Sequence, residues 1–136
     1  MATTTAAEQT VTLGRARHRM QVSTLAHKYL TALLAHQKEH RLPGDSYEPG
    51  KIDLRLISYT HLCRLAHAGD PHRTHGELDA IHKWCALNHW PPIDALVVDA
   101  TARRPGPRYP ENHHWERDAY AALLFHYPED AARTAS

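Results

Sequence analysis

The sequence predicts a helix-dominated α+β domain with one short sheet or hairpin. Three observations lead there. Apolar residues recur at helical spacing over three stretches, one short apolar run at residues 93–98 is β-branched, and turn-forming Pro and Gly separate them. At 136 residues the chain has the length of one domain. Its 42% hydrophobic and 23% charged residues are ordinary for a folded protein and exclude a wholly disordered one.

Residues 1–12, rich in Ala and Thr with Glu8 the one charge, read as a flexible tail. Residues 13–42 read as an N-terminal helical extension. Met20, Leu25, Tyr29, Leu30, Leu33 and Leu34 recur every three to five positions, and neither Gly nor Pro interrupts Arg15 to Leu42. Leu42-Pro43-Gly44-Asp45 ends it and opens the main body, residues 43–128. Ile52, Leu54 and Leu56 alternate with Asp53 and Arg55, which predicts a short strand or extended arm. Ser58 is placed to cap a helix from Tyr59 to about Ala68, closed by Gly69. Thr74 and Glu77 have capping-box spacing ahead of a helix through Asn88, with Leu78, Ile81, Cys85 and Trp84 on its inner face. Pro91-Pro92 stops that helix, and residues 93–98 are the best strand in the chain. Arg103-Arg104-Pro105-Gly106-Pro107 forms a rigid basic loop. Asn112 caps a last helix to about Phe125, with Trp115, Ala119 and Leu123 on one stripe beside Ala122 or His126. Residues 129–136 are expected to fray.

The order Ile57-Ser58-Tyr59, Leu62-Cys63, a helix, Trp90-Pro91-Pro92-Ile93-Asp94-Ala95-Leu96-Val97-Val98, Arg104-Pro105-Gly106, then Trp115 and Asp118 resembles a group of small, poorly characterised bacterial and phage proteins. The resemblance spans about residues 56–128. Asp99 stands where members often carry an amide, and Arg108 replaces a Gly usual after the Pro-Gly pair. The same order is similar, more distantly, to the winged-helix domain of alkylguanine-DNA alkyltransferases, which implies a winged-helix-like centre and contact with DNA. Their reactive Cys lies in Pro-Cys-His-Arg, whereas Cys63 here lies between Leu62 and Arg64 and Cys85 between Trp84 and Ala86. The resemblance therefore implies a binding module without alkyl transfer, in a phage or mobile-element setting.

Charge narrows the function classes. The total of +1 excludes a strongly basic nucleic-acid coat and an acidic DNA mimic. Residues 1–41 hold six Lys and Arg against two acidic residues, and the remainder ten against thirteen, so the N-terminal part is the positive one. Contacts to nucleic acid, or to a protein that handles it, would fall to Arg64, His72, Arg73, Arg103, Arg104 and Arg108. The alternative is a homodimeric adaptor or inhibitor that meets a second copy through the N-terminal helix.

Catalytic and metal readings have less to stand on. No Gly-x-Ser-x-Gly elbow, P-loop or Gly-x-Gly-x-x-Gly is present, and both cysteines fall on apolar faces. An acid–base pair can be drawn, as His114 with Glu111 or Asp118, but such pairs arise by chance in a His-rich chain, so an enzyme is not the expected class. The 13 histidines leave zinc as the one cofactor to test, yet His114 and Asp118 at i, i+4 supply only two ligands, and no cofactor is expected. Two cysteines make no disulfide framework and no apolar run reaches the roughly 20 residues of a membrane span, so the expectation is a cytoplasmic protein.

Overall fold

The computed structural model describes residues 10–13, 20–42, 52–67, 75–105, 109 and 114–133. Strands β1 (Thr10–Leu13) and β2 (Met20–Ser23) form an antiparallel pair with Thr10 opposite Ser23 and Leu13 opposite Met20. Helix α1 (Thr24–His40) follows at once, because Ser23 ends the strand in an extended conformation and its Oγ accepts from the amide of Ala26 at 2.9 Å. The same device recurs further on. Strand β3 (Ile57–Ser58) gives way to α2 (Tyr59–Ala66) at Ser58, whose Oγ accepts from the amide of His61 at 3.1 Å. Helix α3 (His75–Leu87), strand β4 (Val97–Val98) and helix α4 (Trp115–Leu124) complete the order. β4 lies parallel to β3, with Ile57 opposite Val97 and Ser58 opposite Val98.

One core joins all of these. Leu13, Tyr29 and Leu33 from the N-terminal part share a buried cluster with Leu62, Trp84, Leu96, Leu123 and Ala131. Helix α1 packs against α2, α3 and α4, so residues 24–40 belong to the body of the domain. The inner face of α3 is as the spacing predicts: Leu78, Ile81, Trp84 and Cys85 are all buried. α3 ends where His89 adopts the left-handed conformation (φ 58°), with the His89 amide bonded to the Ala86 carbonyl and the Trp90 amide to that of Cys85. That is the Schellman pattern, met here without glycine.

The helix-dominated α+β class is what the structure has. Among the described residues no hairpin follows α3. Several local expectations are corrected. The helix expected from residue 13 begins at Thr24, and Thr10–Leu13, expected partly as tail, is a strand whose Leu13 is buried; β-branched Thr10, Val11 and Thr12 favour the pleated chain. The strand expected at 52–57 is a 3-10 turn (Asp53–Arg55) followed by the two residues of β3. Alternation would have buried Leu54 with Ile52 and Leu56, but Leu54 is 88% exposed. The turn wins because Arg55 caps α1: its Nη1 donates to the carbonyls of His40 (2.6 Å) and Arg41 (3.2 Å), while its own carbonyl accepts from His36 Nε2 at 2.9 Å.

The run 93–98 is a 3-10 turn (Ile93–Leu96) leading into β4, and burial on every side, not strand pairing, explains its apolar character. At the C-terminus, residues 129–133 do not fray: Ala131 is buried and the Ala132 carbonyl accepts from His27 Nε2 at 2.7 Å. Helix α2 ends at Ala66 with left-handed His67 as its cap. Gly69, Thr74 and Asn112 lie outside the described residues, and α4 starts at Trp115 with no side-chain cap from His114.

Candidate functional site

The basic turn begins where the buried chain emerges. Val97 and Val98 are fully buried, and Asp99, the next residue, is exposed. Four hydrogen bonds then shape residues 99–104. The Asp99 amide donates to the Arg104 carbonyl at 2.9 Å and the Arg103 amide to the Asp99 carbonyl at 2.8 Å. Asp99 Oδ1 accepts from the amides of Thr101 (2.9 Å) and Ala102 (2.8 Å). The Ala102 amide, and after it that of Thr101, holds the Asp99 carboxyl below the ordinary carboxylate value. Arg103 is held left-handed at φ 56°, a conformation uncommon outside glycine, asparagine and aspartate. It is half-buried, whereas Arg104 is exposed and Pro105 is buried behind it.

The parallel pairing of Ser58 with Val98 places the start of α2 and this turn at the same end of the strand pair. Arg64 is exposed on the last turn of α2. Of the sequence-predicted contacts among the described residues, Arg64 and Arg104 are exposed and Arg103 is half-buried. His72, Arg73 and Arg108, the other sequence-predicted contacts, lie outside the described residues.

Three histidines serve the backbone. His27 and His36 donate to carbonyls of Ala132 and Arg55, His40 Nδ1 donates to the His36 carbonyl at 2.9 Å, and the His36 and His40 rings stack at 4.1 Å. Among the described residues no group of three His, Cys, Asp or Glu side chains could hold a metal ion. His114 is exposed and contributes its carbonyl to the Asp118 amide, while the Asp118 carboxylate accepts from the hydroxyl of Tyr109. Both cysteines are buried. Cys63 meets the Tyr29 hydroxyl at 3.5 Å, and burial pushes the Cys85 thiol up to about 12.

A second polar constellation was not anticipated from the sequence. Asp94 is fully buried on the 3-10 turn, and His82 Nδ1 on α3 lies 3.2 Å from each of its carboxylate oxygens. The His82 ring meets Tyr109 edge-on at 5.5 Å, and Tyr109 in turn reaches Asp118. His82 and Asp118 line a cleft of about 200 Å³ with Ala86, Trp90 and Pro92. Taking a carboxylate out of water is expensive unless it is paired, so this contact fixes the imidazole and the turn together. The signal for it was present in the sequence: Asp94 is the one charge inside an apolar run, and His82 shares the α3 stripe with Leu78 and Cys85. No described helix is long and apolar enough to cross a membrane. No protein-family model, curated protein or solved structure matches the chain.

Proposed function

We propose that this protein is a non-catalytic binding module that contacts nucleic acid through the basic turn at residues 99–104, with Arg64 as a flanking contact. The observation that carries this reading is the hydrogen-bonded turn itself. Asp99 fixes residues 100–104 without using any part of the core, and the fixed chain holds Arg103 in a strained left-handed conformation and Arg104 toward solvent. An ordered basic turn loses less freedom on meeting phosphates than a loose one, which favours binding. A weak, backbone-directed contact suits the near-neutral charge of the chain better than sequence-specific readout does. The histidine–aspartate pair is given a structural role, because no nucleophile and no metal-ligand group accompanies it among the described residues.

Retention of the full chain on immobilised random-sequence duplex, measured across a salt series, tests the reading. Each phosphate contact adds about 0.9 to the slope of log affinity against log salt. Arg104→Glu should weaken retention and lower that slope by about 1, and Arg103→Glu/Arg104→Glu should lower it further. As Arg104 is exposed, its reversal should leave stability within about 0.5 kcal/mol of the parent. Absence of retention at low salt, or a slope indifferent to both reversals, overturns the reading.

A further inference from the structure

We propose that the groove between α1 and the C-terminal segment is a docking site for a short acidic and aliphatic segment of a partner protein. The groove encloses about 600 Å³, within the range of sites that hold ligands. Leu34 and Ala35 of α1 form one side, and Tyr127, Pro128 and Ala132 the other. Both sides are fixed by the fold. Gln37, itself buried, donates from Nε2 to the carbonyls of Ala122 (2.8 Å) and Phe125 (2.7 Å). The Leu42 amide donates to the Leu123 carbonyl at 3.0 Å, and His27 holds Ala132 at the far end. The groove is therefore already built when a partner arrives, and little of this chain needs to be ordered.

Charge selects the occupant. Lys38 and Arg41 line the groove, both exposed, and Glu129 is the one carboxylate among the lining residues. Lys38 Nζ lies 3.6 Å from Glu129, but both side chains are largely in water, so that pair is weak and exchanges readily for an incoming carboxylate. The apolar floor asks for aliphatic side chains beside that acid. The wall asks for a peptide. Phe125 leaves α4 extended (φ −77°, ψ 147°), and among the described residues the main chain of His126, which follows it, has no hydrogen-bond partner. Such an edge suits a segment that brings its own amides and carbonyls.

The test titrates the full chain into a fluorescein-labelled octapeptide of alternating leucine and glutamate and follows anisotropy. Saturable binding is expected. It should weaken about tenfold or more for Lys38→Glu/Arg41→Glu, and equally when glutamine replaces every glutamate of the peptide. Ala35→Arg separates groove binding from loose electrostatic attraction, because it adds a cation while filling the floor. Docking in the groove predicts loss of binding, and unspecific attraction predicts a gain. The three altered residues are exposed, so unchanged circular dichroism should accompany each loss. No saturation at about 1 mM, full binding of the glutamine peptide, or tighter binding by Ala35→Arg overturns the proposal. Displacement of the peptide by decanoate at equal concentration also overturns it, by assigning the groove to a fatty carboxylate.

Discussion

Asp94 and Asp99 stand five positions apart on one segment, and the fold uses them in opposite ways. Asp94 is fully buried and meets a histidine twelve residues back, on α3. Asp99 is exposed and meets the amides of residues two and three places on. The first carboxylate meets an imidazole that only the tertiary fold brings beside it. The second would make its turn in any context that let the chain bend there. Long-range pairing carries a large energy when broken and local pairing a small one, but the local pair is the one placed where a partner can feel it.

The largest effect should therefore come from α3. His82→Ala removes one partner from a fully buried carboxylate, a change that costs about 1–3 kcal/mol. Asp94→Ala leaves the imidazole without its acceptor and a gap in the 3-10 turn. Removing both should cost less than the two single changes together, with a coupling of about 1 kcal/mol or more in urea denaturation. Additive losses would show that the pair is coincidental, and the contrast with Asp99 would lose its energetic half.

The same contrast explains what could be read in the sequence. Ser58 as a cap, the inner face of α3 and the buried Val97 follow from neighbours within a turn or two of chain, and each stands where the spacing puts it. An exposed Arg104 was legible for the same reason, although half-buried Arg103 and the role of Asp99 in shaping the turn were not. The 3-10 turn at 53–55 was illegible because its cause is Arg55 reaching the end of α1, fourteen and fifteen residues back. The hairpin of β1 and β2 was hidden by an apolar spacing that continues without a break into α1, so that Met20 fits a helix as well as a strand. His82 with Asp94 was hidden by distance, since neither a single charge in an apolar run nor a histidine on an inner stripe names its partner.

A middle-sized effect is expected where a local and a distant partner meet on one residue. Burial holds the His36 imidazole below its ordinary 6.5, and nearby His40 and His61 act the same way, against the Arg55 carbonyl and Glu39. The unfolded chain then takes up a proton near that ordinary value, which the folded chain accepts only at lower pH. Stability from neutral His36 is complete above that value and is lost as pH falls through the window beneath it. His36→Gln should flatten this part of the profile. The check is the difference in urea midpoint between parent and variant at about pH 7.5 and about pH 5.5, a range in which imidazoles titrate. A difference independent of pH would place the proton uptake on other histidines.

The smallest change in stability, and the sharpest in function, should come from Asp99. Its carboxyl is held low by amide donors, so its share of stability is present above the ordinary carboxylate value and lost as pH falls through the lower folded one. Asp99→Asn keeps an oxygen that can accept from the Thr101 and Ala102 amides while removing the charge beside the arginines. Asp99→Ala removes charge and acceptor together. If attraction to duplex depended on net charge alone, both variants would be retained more strongly than the parent, and to the same degree. With the turn geometry setting the contact, Asp99→Asn should bind at least as well as the parent and Asp99→Ala worse, although the two carry identical charge. Equal retention of the two variants at every salt concentration would mean that the two hydrogen bonds to the Asp99 carboxylate do nothing for binding, and that the buried aspartate alone has a job its position requires.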